Sequence, residues 1–279
     1  MEPLGVTATA HLFPGLHRHL MALLRGLSPE DWLRPTLARD WCVRDIVSHL
    51  LDGDVRRLSF QRDGIPLLAP DTPVSSHDEF VRFLNGLNAD WIRATRRVSP
   101  RLLMELLDLT GPQLAALFAS LDPRGPAFFA VTWAGQAQSE HWLDIGRDYT
   151  ERWHHQAQIR DAVGVPPLDG REWLHPVVEL STWAFCRGFS ELRRPPGTTL
   201  VLDVAGEAGG LWSIVASERG WMPWRGAPAD RAARMRFSAD TAWRLFFNAL
   251  PVDAARTRVE AEGDPELVDR FLSVRAVMV

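Results

Sequence analysis

The chain has 279 residues, and 46% of them are hydrophobic, which is enough for one large or two ordinary domains with buried cores. Its formal net charge of −4 gives no electrostatic basis for binding nucleic acid, so no nucleic-acid partner is expected. All 31 basic residues are arginines, and the absence of lysine excludes a Schiff-base mechanism on a lysine side chain.

The helices of the first 165 residues are predicted from periodic apolar residues. In the first helix, leucines spaced three and four apart form the apolar face, although Pro14 weakens the pattern near its start. Ser76, with an acidic residue three positions later, and Ser99 before Pro100 are typical helix starts. The helices are predicted at residues 7–25, 42–61, 76–98, 101–121 and 139–163, with 128–133 extended or in a loop. Together they predict a helical bundle.

The pattern changes after residues 164–170, whose glycines and prolines mark the best candidate for a domain boundary. A helix is predicted at 172–192. Beyond it, alternating or continuous apolar runs predict strands, and helices follow them. The strands are predicted at 198–204, 210–216, 234–237 and 257–261, and the helices at 238–248 and 264–273. The sequence therefore predicts an α+β protein of two domains, residues 1–165 and 171–279.

The cellular location is predicted from the cysteines and the apolar runs. Cys42 and Cys186 lie far apart, which is no disulfide framework and is typical of a reducing cytosol. The first residues lack the basic region and apolar run of a signal peptide. No apolar stretch approaches the roughly 18–20 residues of a transmembrane helix. We therefore expect a cytoplasmic protein without a membrane partner, of unknown oligomeric state.

Three residues form the candidate metal site: His49, Glu151 and His155. Glu151 and His155 are spaced i and i+4, which places them on one face of a helix, one turn apart. His49 lies far upstream in an apolar helical segment, where its ring nitrogens need partners. Two imidazoles and one carboxylate suit a divalent metal such as zinc, and three protein ligands leave a position open for water or substrate. The alternative is a solvated carboxylate and two histidines hydrogen-bonded in packed interfaces.

The helix around this pair also has a continuous polar stripe beside an apolar one. The stripe contains three acids and no arginine, so ion pairing does not explain it. It is either a solvent face or a face that lines a bundle and orients metal ligands through further hydrogen bonds. Its members are His141, Asp144, Asp148, Glu151 and His155. Asp45 and Asp52, one turn to either side of His49, are candidates to orient the ring of that histidine.

Two segments resemble a known family. The run Trp-Cys-Val-Arg-Asp-Ile-Val-Ser-His-Leu at 41–50 resembles the opening of the mycothiol-dependent maleylpyruvate isomerase N-terminal domain family, a branch of the DinB-like metal-binding bundles. Glu-Arg-Trp-His-His at 151–155, followed by Arg-Asp-Ala-Val-Gly at 160–164, resembles its last bundle helix. The resemblance covers residues 8–165. It implies a DinB-like four-helix bundle whose metal triad falls on His49, Glu151 and His155.

The chain departs from the family pattern in two places. Cys42 stands where the family usually has Ser or Thr at a helix start, and a thiol caps poorly; it is either a small buried residue or a reactive thiol. The C-terminal half resembles, more loosely, the smaller α+β sterol carrier protein-like domain of the family. The family's Gly-Arg step after the helix near Leu245 is missing from residues 246–251. No substrate-binding arginine is therefore transferred, and the catalytic residues remain unknown.

The resemblance implies a metal-dependent enzyme that uses a low-molecular-weight thiol such as mycothiol and acts on a small-molecule substrate. A metal favours the thiolate form of a bound thiol. The thiolate would add to an activated double bond of an unsaturated dicarboxylate, and rotation and elimination would complete a cis–trans isomerisation. Delivery of the thiol to an electrophile would instead make the protein a transferase. The residues themselves indicate only an open metal site.

Two further functions stay open. Metal-bound water, whose pKa can fall to about 7, would support a hydrolase, with His154 or Asp148 as the base. A non-enzymatic binding module would use the metal to stabilise the bundle and the second domain to bind a partner or an apolar ligand. Zinc is the first expectation, but two histidines and one carboxylate also suit nickel, iron or cobalt.

Overall fold

The computed structural model describes residues 1–38, 40–70 and 73–277, and contains ten α-helices and six strands in that part of the chain. The helices are α1 (Phe13–Arg25), α2 (Val43–Arg57), α3 (His77–Thr95), α4 (Pro100–Ser120), α5 (His141–Val163), α6 (Arg171–Ser181), α7 (Ala184–Gly188), α8 (Ala239–Phe246), α9 (Val252–Arg256) and α10 (Pro265–Ser273). The strands are β1 (Glu2–Pro3), β2 (Thr199–Ala205), β3 (Gly210–Ser217), β4 (Gly220–Arg225), β5 (Ala233–Ser238) and β6 (Glu260–Gly263).

The strands form one mixed sheet in the order β1-β4-β3-β2-β5-β6. Strand β2 pairs antiparallel with β3 and parallel with β5, and the other pairs are antiparallel. Leu202 of β2 lies opposite Trp212 on one side and Met235 on the other, and all three are buried. Because alternate residues of a strand point to the same face, these residues belong to the apolar face of the sheet.

Two compact units can be distinguished from the contacts within the chain. The first comprises residues 1–9, 123–154 and 168–279, and the second comprises 10–122 and 155–167. Helix α5 continues from the first set of residues into the second without a break. The boundaries of these units differ from those of the predicted domains, 1–165 and 171–279. The division into those two domains stays a prediction.

The unit formed by 10–122 and 155–167 is helical. In it, α2 contacts α3 and α4, and α1 contacts α4. Its apolar core takes residues from α1, α2, α4 and the last turns of α5, among them Leu24, Ile46, Val47, Leu107 and Ile159. This core surrounds the segment of α2 that precedes His49.

Helix α4 is long and apolar enough to cross a membrane by length and composition alone, which the sequence analysis did not anticipate. It is the one such helix among the described residues. Its residues Leu103, Leu107, Leu114 and Phe118 are buried against the rest of the helical unit. A buried core helix of a globular domain passes the same length and composition test, so one such helix is weak evidence for a membrane span.

Most predicted elements agree with the structure, and the differences are local. The predicted helix at 172–192 is wrong as one element, because it is divided into α6 and α7. The predicted first helix starts later, since residues 10–12 form a 3₁₀ turn before α1. Strands β1 and β4 and helix α9 were not predicted.

Candidate metal centre

His49 and His155 lie side by side in the helical unit. His49 is on the second turn of α2, between the buried residues Val47 and Leu50. His155 is buried on α5. The centroids of the two imidazole rings are 4.9 Å apart, and the rings meet edge to face at 77°. Two helices that are distant in sequence therefore bring two imidazoles together.

Glu151 precedes His155 by one turn of the continuous helix α5, so the geometry of that helix fixes their relation. One ligand atom from each of His49, Glu151 and His155 lies within 4.8 Å of the others. In a tetrahedral zinc site, ligand atoms are about 3.3 Å apart, because each lies about 2.0–2.1 Å from the ion. Small side-chain rotations would close this set on a divalent cation. The structure therefore brings together all three predicted residues, and their metal binding stays a prediction.

A glutamine that the sequence analysis did not select supports His155. The Nδ1 atom of His155 lies 2.9 Å from Oε1 of Gln158, and both side chains are buried. An amide oxygen only accepts hydrogen bonds, so this distance suits a hydrogen bond from an imidazole N–H. A hydrogen bond from the second ring nitrogen is typical of metal-binding histidines. The i+3 spacing from His155 was the signal in the sequence that could have identified Gln158.

The indole of Trp41 covers one side of the histidine pair. Its ring centroid is 4.9 Å from that of His49 and 6.0 Å from that of His155. Trp41 is half-buried, so it contributes an apolar wall beside the ligand atoms. Trp142 and Trp153 are buried in the unit that contains the sheet.

The polar stripe of α5 does have a basic partner, contrary to the interpretation that ion pairing does not explain it. Arg147 comes from the neighbouring row of the helix; its Nη2 lies 2.8 Å from Asp144 and 3.5 Å from Asp148. Burial lowers the pKa of the Arg147 guanidinium, but the carboxylates of Asp148, Asp144 and Glu151 outweigh burial and raise it above its ordinary value. Arg147 therefore stays charged and offsets part of the negative charge of the stripe.

The other residues considered as partners have different contacts. The carboxylate of Asp45 accepts hydrogen bonds from N–H and S–H of Cys42, at 3.2 and 3.3 Å. Asp52 forms an ion pair with Arg56 at 3.1 Å. Asp45 and Asp52, the expected supports for the ring of His49, are therefore engaged with Cys42 and Arg56.

His154, the candidate base of a hydrolase, is buried in the unit that contains the sheet. Its Nδ1 lies 2.9 Å from the carbonyl oxygen of Thr150, and its ring stacks on Phe247 with 4.6 Å between centroids. His154 is not a member of the ligand group among the described residues. The structure therefore separates the two adjacent histidines by position: His155 lies in the candidate site, and His154 packs on Phe247.

Both cysteines are predominantly protonated at neutral pH. Burial raises the pKa of the Cys42 thiol, and the charge of Asp45, which accepts its S–H, adds to the shift. Burial raises the pKa of the Cys186 thiol to about 12. Only the thiolate is a good nucleophile, so neither side chain is suited to nucleophilic catalysis. This favours the small buried residue over the reactive thiol as the role of Cys42.

Alkylation can test this assignment. We expect Cys186 to react with iodoacetamide at pH 8 about a thousandfold more slowly in the folded protein than in urea, because its pKa rises from 9.0 to about 12 and one unit is tenfold in thiolate. Cys42 should also be slowed, to a smaller extent. Mass spectrometry of timed samples gives both rates. Equal labelling of Cys42 in folded and urea-unfolded protein would contradict its raised pKa, and faster labelling in the folded protein would show an activated thiol.

Fold and site together define an α+β protein in which two helices bring two histidines and a glutamate close to one another. A family model, the mycothiol maleylpyruvate isomerase N-terminal domain, matches residues 13–160, which is more than half of the chain. The chain therefore belongs to the mycothiol-dependent maleylpyruvate isomerase family, as the two sequence segments predicted. A search of curated proteins gave no match.

Solved structures support the fold class. A crystal structure of the mycothiol-dependent maleylpyruvate isomerase has a TM-score of 0.54 at 10% identity, with 91% of each chain covered. The crystal structure of a histidine-to-alanine mutant of the mycothiol-dependent maleylpyruvate isomerase has a TM-score of 0.53 at 10% identity, again with 91% of each chain covered. A UbiJ-SCP2 ubiquinone synthesis protein matches over 32% of this chain and 76% of its own chain at 22% identity, with a TM-score of 0.25. The α+β fold class predicted from the sequence is confirmed.

Proposed function

We propose that this protein is a metal-dependent isomerase that uses a low-molecular-weight thiol, such as mycothiol, to convert a small unsaturated dicarboxylate of the maleylpyruvate type from cis to trans. The observation that carries the proposal is the convergence of His49, Glu151 and His155 within 4.8 Å, in a chain of the mycothiol maleylpyruvate isomerase family. Zinc is the proposed metal. The proposed setting is the cytoplasm, with no nucleic-acid or membrane partner.

The three side chains fit a catalytic cation better than a structural one. Structural zinc sites are closed by four protein ligands, whereas three leave a position open. His49 and Glu151 are only half-buried, so the group is reachable from outside. When bound there, a divalent cation would lower the pKa of an added thiol and polarise a substrate oxygen.

The chain itself supplies no activated thiol, and this favours an external one. The raised pKa values of Cys42 and Cys186 leave both protonated at neutral pH. In the proposed reaction the sulfur of the added thiol bonds to one alkene carbon, and the π electrons move onto the conjugated carbonyl. Rotation about the resulting single bond precedes expulsion of the same thiolate, which restores the double bond. The thiol is regenerated and nothing is oxidised or reduced.

In this scheme the side chains of the protein bind the cation and orient its ligand atoms. His155, held by Gln158, presents Nε2, and Glu151 follows one turn away on the same helix. Trp41 shields one side of the histidines from water. The same arrangement would serve a thiol transferase if the thiol adduct were released instead of eliminated.

The hydrolase alternative has less support, because its two candidate bases have other contacts: His154 packs on Phe247, and Asp148 pairs with Arg147. The alternative of a non-enzymatic module requires that the open position serve no chemistry. Turnover measurements distinguish both from the proposed isomerase.

The proposed function is tested by assaying purified protein with maleylpyruvate and mycothiol. We expect isomerisation only when both a divalent cation and the thiol are present, since the cation activates the thiol and the thiol forms the carbon–sulfur bond. Removal of the cation by a chelator should abolish turnover, and added zinc should restore it. Product without any thiol would contradict the thiol step, and no product with metal-loaded protein and thiol would exclude this isomerase activity.

A further inference from the structure

We infer that Gln158 is a positioning residue that fixes the tautomer of His155. The inference rests on the proposed function, because the tautomer matters only if His155 binds a cation. It concerns one contact within the helical unit, between two side chains of the same helix. The chemical consequence is that Nε2, and not Nδ1, is the ligand atom of His155.

The contact has the geometry of a normal hydrogen bond. The distance from Nδ1 of His155 to Oε1 of Gln158 is 2.9 Å, and the i+3 spacing on α5 places both side chains on one face. Gln158 is only 4% exposed. Water therefore competes little for the hydrogen bonds of its amide, and the amide oxygen remains available to the imidazole of His155.

A neutral imidazole carries one N–H and one lone pair, and the hydrogen bond made by one nitrogen decides the role of the other. The Gln158 oxygen accepts, which places the proton on Nδ1 and the lone pair on Nε2. Without this acceptor, part of the histidine population would carry its proton on Nε2. That proton would have to move before a cation could bind.

The chain offers a matched control for Gln158. Gln156 lies on the same helix and is 1% exposed, but its Nε2 donates to the carbonyl oxygen of Leu16 at 3.2 Å, and its Oε1 accepts from Arg160. Replacing it removes a buried amide of the same size and leaves the pair of His155 and Gln158 in place. The effect of replacing Gln156 therefore measures how much the loss of a buried glutamine destabilises the protein, independently of His155.

The test compares Gln158→Leu, Gln158→Glu and Gln156→Leu by two measurements. Zinc affinity is measured by competition with a chromophoric chelator, and the tautomer of His155 by ¹⁵N NMR of the metal-free protein with its ring neutral. We expect Gln158→Leu to bind zinc about 10–100-fold more weakly, in line with the loss of hydrogen-bonded supports in other metal sites, and to lose the Nδ1–H form. Gln158→Glu retains an acceptor and should keep the Nδ1–H form and most of the affinity. Gln156→Leu should leave both unchanged.

The possible outcomes separate this inference from the proposed function. If the wild-type protein binds no divalent cation, the proposed metal site is excluded, while the NMR tautomer still tests the contact. If the wild-type protein binds zinc but Gln158→Leu binds it equally well, the positioning role is overturned and the metal site remains. Should Gln158→Leu fail to fold, an Nε2–H signal from wild-type His155, or loss of the Nδ1–H form in Gln158→Glu, would overturn the inference.

Discussion

His49→Ala is expected to abolish tight cation binding and thiol-dependent turnover while the fold is retained. His49 is one of the three proposed ligand residues, and it alone comes from α2. Loss of a direct ligand should cost more than the roughly 10–100-fold in affinity that follows loss of a supporting hydrogen bond. Metal content by elemental analysis, circular dichroism and the isomerase assay measure the three parts of this prediction.

His154→Ala is the matched control, because His154 is also a buried helical histidine but packs on Phe247 outside the ligand group. It should lower the melting temperature and keep the metal. The metal site would be excluded if His49→Ala folded with unchanged zinc content. A loss of metal in His154→Ala alone would reverse the assignment of the adjacent histidines.

Glu179→Ala is expected to destabilise the protein by about 3 kcal/mol, which makes it the substitution with the largest expected effect on folding. Glu179 is 3% exposed, on α6. Its carboxylate accepts from Oγ1 of Thr7 at 2.9 Å, from Nε1 of Trp212 at 3.2 Å and from Nη2 of Arg225 at 2.8 Å. Breaking a buried pair costs about 3–5 kcal/mol, and we expect the lower end because the Arg225 side chain is 48% exposed and screened by water.

Urea denaturation gives the free energy of unfolding for this comparison. Glu191→Ala is the control, because Glu191 is 86% exposed and its ion pair with Arg270 spans 3.4 Å. It should change stability by less than about 0.5 kcal/mol. If Glu179→Ala lowers the free energy of unfolding by less than about 1 kcal/mol, the buried contacts of Glu179 contribute little to stability.

The candidate site could be predicted in part because helical spacing is a local property. The i, i+4 relation of Glu151 and His155 placed both on one face of α5, as the structure has them. No periodicity predicts which distant helix packs against that face, so His49 could be proposed only as a histidine in an apolar helical segment, and the family resemblance then placed it in the same triad. The position of Trp41 beside the two histidines depends on the same tertiary packing.

The elements that were missed have identifiable physical causes. Strand β4 contains Pro223, which has no N–H for a ladder and argues against a strand, yet its carbonyl oxygen accepts from N–H of Leu4 at the edge of the sheet. The helix predicted at 172–192 ends early where Ser181 and Thr182 turn their hydroxyls back onto the carbonyls of Val177 and Glu179. Such hydroxyls compete with the backbone ladder and bend or end helices.

The position of the ligand residues along the chain has a thermodynamic consequence. Glu151 and His155 are held by the same turn of α5, whereas His49 is 106 positions away from His155 in sequence. A bound ion would act as a removable cross-link between α2 and α5, and each tenfold rise in free ion above its dissociation constant would add about 1.4 kcal/mol to the folded state. The thermodynamic stability of the protein would thus depend on the free concentration of the metal.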